Sequence, residues 1–400
     1  MKHFLLFLFC VCCVFTTLCS QSFQVQGFVT NDKDDTPLAG ASVFINNGSK
    51  GTITDQNGRF ILTGILYNSF ELIVSFVSYE TIVINISPEN INKRFRVKMS
   101  PKPNELEEVV VGQVEKDGWK KWGKTFMDNF LGISANAQKC VLLNPKTLIF
   151  RYNKKSGVLR VVARDQLKIR NNNLGYNISY QLEQFEFNPA KGMVIYLGYV
   201  NFDDMSTGRR RKNDNWNKQR KIAFEGSLMH FMQAFYKNNL VKEGFNMRQL
   251  IRINKKDSIA RPFYDRILKK DYSDIDTAKF AIQFVKEGQL GAPVIHLLGR
   301  KLLDADSIRY RDTANSQLLM HFNNDVQVIF YNETESREYL TALRRMDKGG
   351  PQVSIFYFTG MRPIVVQENG LYFEPLTIFS EGYWAFEKLA ELLPADYIKE

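Results

Sequence analysis

The first quarter of the chain alternates between apolar and polar positions in short segments separated by glycine, proline and asparagine. Residues 23–29 alternate, and residues 94–99 alternate between apolar side chains and Arg or Lys. Residues 70–77 are apolar on both faces, which is typical of a central strand covered on two sides. Residues 55–58 carry the Asp, Asn and Gly of a tight turn. The pattern predicts a sandwich of short strands, with the cationic strand at an exposed edge.

A mixed pattern follows. Residues 147–200 read as a meander of strands, with a change of phase that predicts a bulge near Glu183–Gln184. Apolar residues at helical spacing predict an amphipathic helix over about Ile222–Lys242. Strands return between residues 326 and 367, and a final helix is expected over about residues 386–393. The second part is therefore expected to mix an antiparallel sheet with helices.

The N-terminus has the layout of a secretory signal. Lys2 precedes an apolar run from Phe4 to Phe15, and residues 16–20 are small or polar. The run is shorter than the roughly 20 residues that span a bilayer as a helix, so we expect cleavage near Ser20–Gln21. Cys19 leaves lipid anchoring open as an alternative. After cleavage Cys140 is the single cysteine, so no disulfide is expected to stabilise the fold.

These patterns divide the chain into four segments. We expect a signal peptide at 1–20, a β-sandwich at 22–100, a linker at 101–118 and an α+β domain at 119–400. The predicted fold class is mainly β with an α+β C-terminal part. A hydrophobic content of 44% is ample for cores of this size.

Several motifs in the first domain resemble the carboxypeptidase regulatory-like domain. They are Pro37–Ala41, Gly51–Asp55, Gly58–Phe60, Val74–Glu80 and Leu106–Val111. The resemblance covers about residues 22–112 and implies a seven-stranded, transthyretin-like sandwich in a protein of the Gram-negative envelope. Family members usually have Gly where this chain has Ser78, and despite the name the domain is not a peptidase.

The same family domain often begins TonB-dependent transporters. This chain has no room for their plug and barrel, so we expect association with such a system and not the transporter itself. Residues 119–400 resemble uncharacterised envelope proteins, which implies no activity.

The chain is basic, with a formal net charge of +11. Such a charge favours association with anionic surfaces. For an exported protein we expect an envelope protein or an anionic glycan as partner, with peripheral membrane association as a further option, and no nucleic acid. The expected location is the periplasm or the outer membrane.

The sequence lacks the spacings that common catalytic sites need. None of the mature histidines, His230, His296 and His321, belongs to a His-x-x-Glu or His-Glu-x-x-His zinc motif. No serine lies in a Gly-x-Ser-x-Gly elbow, and no glycine-rich phosphate loop is present. Cys140 and His230 are expected to be packing residues. We therefore expect no catalytic residues, no metal and no cofactor, although a pair of carboxylates cannot be recognised from sequence alone.

One cluster of cations is a candidate anion-binding site. Its members precede the predicted helix in a segment expected to be a turn-rich loop: Arg209, Arg210, Arg211, Lys212, Trp216, Lys218, Arg220 and Lys221. Guanidinium groups can grip phosphate, sulfate or carboxylate, and an indole can stack on a ring. The alternative, which we favour, is a solvated loop of mutually repelling charges.

The sequence supports two hypotheses of function. The first is an exported, non-catalytic binding or assembly module, connected with a TonB-dependent transport or surface-polysaccharide system. The second is an envelope glycan or peptide hydrolase that uses carboxylates. A pocket holding two close carboxylates of perturbed acidity would favour the hydrolase.

Overall fold

The computed structural model describes residues 22–102, 113–190, 192–206, 210–286, 293–313, 316–360, 362–372 and 377–399. These residues divide into two compact units, one comprising residues 22–46 and 50–102 and the other residues 47–49 and 113–399. The expected signal peptide, most of the expected linker and Arg209 lie outside the described residues.

The first unit contains seven strands among its described residues. They are β1 (Phe23–Asn31), β2 (Ser42–Ile45), β3 (Gly51–Ile53), β4 (Arg59–Ile65), β5 (Phe70–Ser75), β6 (Ile82–Ile86) and β7 (Arg94–Met99). One sheet has the order β4-β1-β7 and the other β3-β2-β5-β6. All pairs are antiparallel except β1 with β7, which are parallel.

The chemistry of this unit follows the sequence pattern. The apolar strand β5 lies inside its sheet, and the cationic strand β7 lies at an edge. Val25, Phe60 and Leu72 are among the buried residues that fill the core. At the predicted tight turn, the Asp55 carboxylate accepts the amide hydrogens of Asn57 and Arg59. The predicted sandwich is confirmed.

The second unit is a mixture of sheets and short helices. Its strands are β8 (Gln113–Val114), β9 (Cys140–Leu142), β10 (Leu148–Asn153), β11 (Val158–Ala163), β12 (Leu167–Asn171), β13 (Tyr176–Asn188), β14 (Met193–Asp204), β15 (Phe245–Ile253), β16 (Phe280–Lys286), β17 (Pro293–Gly299), β18 (Arg309–Arg311), β19 (Leu318–Met320), β20 (Asp325–Thr334), β21 (Pro351–Phe358), β22 (Ile364–Val366) and β23 (Ile378–Gly382). Its α-helices are α1 (Gly118–Phe130), α2 (Arg210–Phe224), α3 (Leu228–Tyr236), α4 (Arg261–Leu268), α5 (Arg337–Ala342) and α6 (Tyr383–Phe386).

Three sheets organise these strands. One has the order β8-β10-β11-β13-β12-β9, with β14 paired to β13, another β16-β17-β15-β20-β21-β23, and the smallest β18-β19-β22. The pairing of β13 with β14 shifts register between Leu182 and Gln184, which confirms the predicted bulge. The protein is thus mainly β, with helices in its C-terminal part, as the sequence predicts.

Two predicted helices differ from the observed ones. In place of one helix over Ile222–Lys242 there are two, α2 and α3, because Gly226 takes a φ of +73° and the Ser227 side chain caps α3 by accepting the amide hydrogen of His230. In place of a helix over residues 386–393, α6 ends at Phe386 and a short 3-10 helix covers Leu389–Glu391. Apolar spacing located these segments but not their breaks.

Candidate functional site

The basic cluster forms a helix and not a loop. Residues 210–224 are α2, so the predicted turn-rich loop is wrong over this range. Arg, Lys and Gln are good helix formers, and residues four positions apart share one face of a helix. Trp216, Arg220 and Phe224 have this spacing and are all buried. Arg210 begins the helix, and Arg209 lies outside the described residues.

Trp216 attaches α2 to the turn between β12 and β13. Only 2% of the residue is exposed, and its Nε1 donates a hydrogen bond of 3.0 Å to the carbonyl oxygen of Asn172. A Cβ atom on Gly175 would lie 2.2 Å from the indole ring, so the backbone of that turn packs directly on Trp216. Lys212 Nζ lies 4.5 Å from the ring centroid. The indole is thus a packing group and is not exposed for stacking on a ligand.

Arg220 is also part of the protein interior. Its Nη1 and Nη2 donate to the two carboxylate oxygens of Asp204, at 3.0 and 2.9 Å. Its Nε donates to the carbonyl oxygen of Leu174 at 2.7 Å, and Nη2 donates to that of Gly175 at 3.1 Å. The guanidinium lies 4.0 Å from the centroid of the Tyr176 ring. This bidentate geometry leaves Arg220 committed to the protein's own groups.

The ion pair with Arg220 affects the pKa of the Asp204 carboxylate. Partial burial on its own would raise the pKa of Asp204, but hydrogen bonds from Arg220 and Ser206 outweigh it and lower the pKa overall. Asp204 is therefore ionised at neutral pH and neutralises Arg220.

Four cations of the cluster remain at the surface. Arg211, Lys212, Lys218 and Lys221 are exposed, and none forms an ion pair with another described residue within 4.0 Å. With a rise of about 1.5 Å per residue, the stretch from Arg211 to Lys221 spans about 15 Å of the helix. Lys218 and Lys221 also line an open pocket, whose other lining residues include Tyr176, Asn217, Pro394, Asp396, Tyr397 and Ile398. Four of the candidate residues thus lie at the surface, whereas Trp216 and Arg220 belong to the core.

Three partly buried carboxylates form a second cluster, which the spacing of residues in the sequence does not reveal. Burial raises the pKa of Glu333 to about 6. Burial, together with the charges of Glu391 and Glu333, raises the pKa of Glu387 well above its ordinary value. Burial also raises the pKa of Glu391, whose carboxylate accepts hydrogen bonds from Ser134 and Asn136. No pattern in the sequence marks these residues, because they are brought together only by the fold.

Glu391 is one end of a polar chain that reaches α2. Asn136 accepts a hydrogen bond from Asn173, and Asn173 Nδ2 also lies 3.3 Å from Gln219 Oε1. Ser134 and Asn136 are buried. Because buried polar groups require partners, this chain accounts structurally for Glu391.

A third polar cluster joins strands of the six-stranded sheet. Arg252 Nε lies 2.6 Å from Asp325 and Nη1 lies 2.8 Å from Glu381, while the guanidinium lies over the Tyr357 ring. Burial raises the pKa of Asp325 in spite of Arg252. His296, which is 8% exposed, is the register partner of Arg252. The cluster connects β15, β17, β20 and β23.

The histidine and cysteine side chains have packed environments. His230 Nδ1 accepts the amide hydrogen of Gly226, and Nε2 lies 3.2 Å from Glu243. Burial lowers the pKa of His230, so the imidazole is neutral. Burial and the charge of Glu391 raise the pKa of the Cys140 thiol to about 12, which makes it a poor nucleophile.

The described residues show neither a metal-ligand cluster nor a helix suited to span a membrane. No group of three or more His, Cys, Asp or Glu side chains there is arranged to hold a metal ion. Across the same residues, no helix combines the length and the apolar character needed to cross a membrane.

Several solved structures are similar to parts of this chain. Two solved structures, both interface mutants of a type II cohesin–X-dockerin complex from Acetivibrio cellulolyticus, match at 21% and 22% identity, over 20% and 19% of this chain and 58% and 56% of theirs, each with a TM-score of 0.18. A 9R-lipoxygenase from Cyanothece PCC8801 matches at 10% identity, over 57% of this chain and 49% of its own, with a TM-score of 0.17. The chain thus spans less than two thirds of each of these structures, and such low TM-scores carry no functional argument.

A comparison with curated proteins gave no match. The family model described as the CarboxypepD_reg-like domain matches residues 25–111. This match agrees with the seven strands and two sheets of the first unit. Residues 25–111 therefore carry a CarboxypepD_reg-like domain.

Proposed function

We propose that this protein is an exported, non-catalytic binding or assembly module of the cell envelope. In this proposal the exposed cations of α2 hold an anionic envelope partner, an acidic glycan or protein that belongs to a surface-polysaccharide or TonB-dependent transport system. The CarboxypepD_reg-like domain supports the envelope setting through the resemblance described above. The observation that carries the proposal is the arrangement of α2 itself.

The helix α2 holds its surface cations in a fixed position. Trp216 and Arg220 attach it to the protein at two points one turn apart, as their hydrogen bonds show. Arg211, Lys218 and Lys221 then point away from this buried face, without partner carboxylates among the described residues. Ordering flexible cations normally costs entropy on binding. A rigid helix that already aligns their backbones lowers this cost.

A direct binding experiment tests the proposal. The full mature chain would be titrated with a polyuronate and with a neutral glucan of similar length. The test variant carries R211Q, K212Q, K218Q and K221Q. At about 0.5 kcal/mol for each exposed charge, the four changes should weaken polyuronate binding roughly 30-fold.

A matched variant controls for net charge. K255Q, K256Q, K269Q and K301Q also remove four exposed positive charges. We expect this control to bind within a few-fold of the unchanged protein. Equal weakening by both variants would mean that the net charge alone drives binding, and the site on α2 would be wrong. Crosslinking in intact cells followed by mass spectrometry would then identify the natural partner.

The hydrolase is the second candidate, and the raised pKa values of Glu333, Glu387 and Glu391 are the observation in its favour. A carboxyl group of raised pKa holds its proton to a higher pH and can serve as a general acid. If the unchanged protein cleaves envelope glycan or peptide and Glu387→Gln abolishes this turnover without unfolding the protein, the hydrolase replaces the binding module.

A further inference from the structure

The loop that follows α5 presents apolar side chains to solvent. We call residues 343–348, Leu-Arg-Arg-Met-Asp-Lys, the tip loop. Met346 is 100% exposed and Leu343 is 49% exposed. Single exposed apolar residues are ordinary. Two within four positions of one loop, one of them fully exposed, form an apolar site that a partner surface can cover.

The tip loop has a defined shape. Arg345 donates through Nε and Nη2 to the Asp347 carboxylate, at 3.0 and 3.1 Å, and through Nη1 to Glu335 at 2.9 Å. The carboxylates also accept backbone hydrogens, Asp347 that of Gly349 and Glu335 that of Gly350. This clamp closes the base of the loop around Arg345. Met346 lies between Arg345 and Asp347, so these hydrogen bonds fix the backbone that presents its side chain to solvent.

The residue before the clamp has an unusual backbone. Arg344 has a φ of +55° and lies just beyond the end of α5, where its amide donates to the carbonyl of Thr341 and that of Arg345 donates to the carbonyl of Leu340. Glycine is the usual residue at this position of a helix end, because a side chain is strained there. The chain instead places a cation at this point. Lys348, also exposed, lies on the other side of Met346.

We propose that the tip loop is an anchor for anionic membrane surfaces. Met346 and Leu343 enter the boundary between lipid headgroups and acyl chains, while Arg344 and Lys348 contact lipid phosphates. Apolar side chains flanked by cations are the chemistry that recognises such a surface. Arg345 pairs with both Asp347 and Glu335 and offsets one of their two negative charges. Arg344 and Lys348 outweigh the other, so the tip loop together with Glu335 keeps a positive balance.

A lipid surface fits this loop better than a protein pocket does. Met346 projects without any neighbouring wall, and the residues around it, Thr341, Ala342 and Asp347, are exposed and small or polar. A stable protein interface needs a broad apolar centre with a polar rim, which these residues do not supply. A small apolar tip can enter the interface of a lipid bilayer without a preformed pocket. The formal net charge of +11 adds a general attraction to anionic lipid.

The first test is sedimentation with vesicles, using the full mature chain. One set of vesicles is phosphatidylcholine alone and the other is phosphatidylcholine mixed with phosphatidylglycerol. We expect binding to the mixed vesicles, reduced about tenfold or more by L343S together with M346S. R344Q together with K348Q should reduce it by a similar factor on the mixed vesicles. The control variants M193S and K255Q with K256Q, also at exposed positions, should bind as the unchanged protein does.

A second measurement locates the contact. In Met346→Trp the new indole should be quenched by brominated phospholipid beyond the quenching of the native tryptophans. Because Met346 is fully exposed, substitutions at this position should leave the unfolding temperature unchanged. The anchor is refuted if the Met346 and Leu343 changes leave vesicle binding intact, if the control lysines weaken it equally, or if inorganic phosphate competes fully. The anchor would also be overturned if L343S with M346S lost binding to a protein partner but kept binding to the vesicles.

Discussion

Replacing Arg220 with methionine tests whether α2 depends on an internal ion pair. Methionine has a similar length and keeps most of the packing, but it removes four hydrogen bonds. The carbonyl oxygens of Leu174 and Gly175 would lose their side-chain donor inside the protein. The Asp204 carboxylate would lose both of its contacts with the guanidinium.

The expected loss of stability follows from the exposure of the two partners. Breaking a buried ion pair typically costs about 3–5 kcal/mol. The Arg220 side chain is 7% exposed, whereas that of Asp204 is 42% exposed, so water can hydrate the carboxylate that remains. We therefore expect Arg220→Met to lower the free energy of unfolding by about 3 kcal/mol, near the low end of that range.

The pH dependence has a defined sign. The folded-state pKa of Asp204 lies below its ordinary value, so the unfolded chain binds a proton more readily. The contribution of the pair is complete above the ordinary pKa of 3.8 and is lost as the pH falls through the lower folded value. The difference in stability between the unchanged protein and Arg220→Met should therefore shrink in acid.

Urea unfolding, followed by circular dichroism, measures these quantities. Lys221→Met is the matched control, since Lys221 is an exposed cation on the same helix. It should change the free energy of unfolding by less than about 0.5 kcal/mol. A loss below about 1 kcal/mol for Arg220→Met would refute the structural role of the pair. So would a normal stability combined with a loss of polyuronate binding as large as that of the α2 variants, because Arg220 would then be a ligand-binding residue.

Four further predictions test other parts of the structure. Burial raises the pKa of Glu333 to about 6, so its contribution to stability is present below its ordinary pKa of 4.5 and is lost as the pH rises through about 6. Glu333→Gln should therefore raise the free energy of unfolding near pH 7 by about 1 kcal/mol, allowing for partial exposure, and urea titrations near pH 5 and pH 7 should show the gain only at the higher pH. Gly175→Ala should cost at least about 2 kcal/mol, because the residue has a φ of +71° and the new methyl group would meet the Trp216 ring, and a cost near zero in urea would contradict this packing. Ser78→Gly should stabilise the first unit by about 0.5 kcal/mol, because Ser78 has a φ of +67°, and its thermal midpoint would show this. Cys140 should react with iodoacetamide much more slowly in the folded protein than in urea, since its pKa is about 12, and equal rates would place the thiol at the surface.

The first domain could be predicted from sequence because its signals are local. The turn at residues 55–58 is set by side chains within four positions, although the strands on its two sides, β3 and β4, belong to different sheets and do not pair as a hairpin. The alternation in residues 94–99 already distinguishes the exposed face of β7. The departure at Ser78 is equally local. The structure gives it a left-handed backbone, which explains why family members favour Gly there.

The polar clusters of the second unit could not be predicted in this way. Arg252 pairs with Asp325 and Glu381, which lie in different strands and far along the chain. Glu391 binds Ser134 and Asn136, more than two hundred residues away. Sequence spacing carries no information about such partners. The pKa values that distinguish these carboxylates follow from burial, which only the fold sets.

The error at α2 shows how composition can hide periodicity. Seven cations and several asparagines make the segment resemble a solvated loop, although Trp216, Arg220 and Phe224 have helical spacing. Once those three residues are assigned to the buried face, Arg211, Lys218 and Lys221 fall on other sides of the helix, while Lys212 covers the Trp216 ring from the exposed first turn. The same helix therefore separates the cluster into an internal part, neutralised by Asp204, and an external part that the protein itself leaves without a carboxylate partner among its described residues. An anionic ligand would complete the external part in the way that Asp204 completes the internal one, and this is the physical reason for seeking the partner at α2.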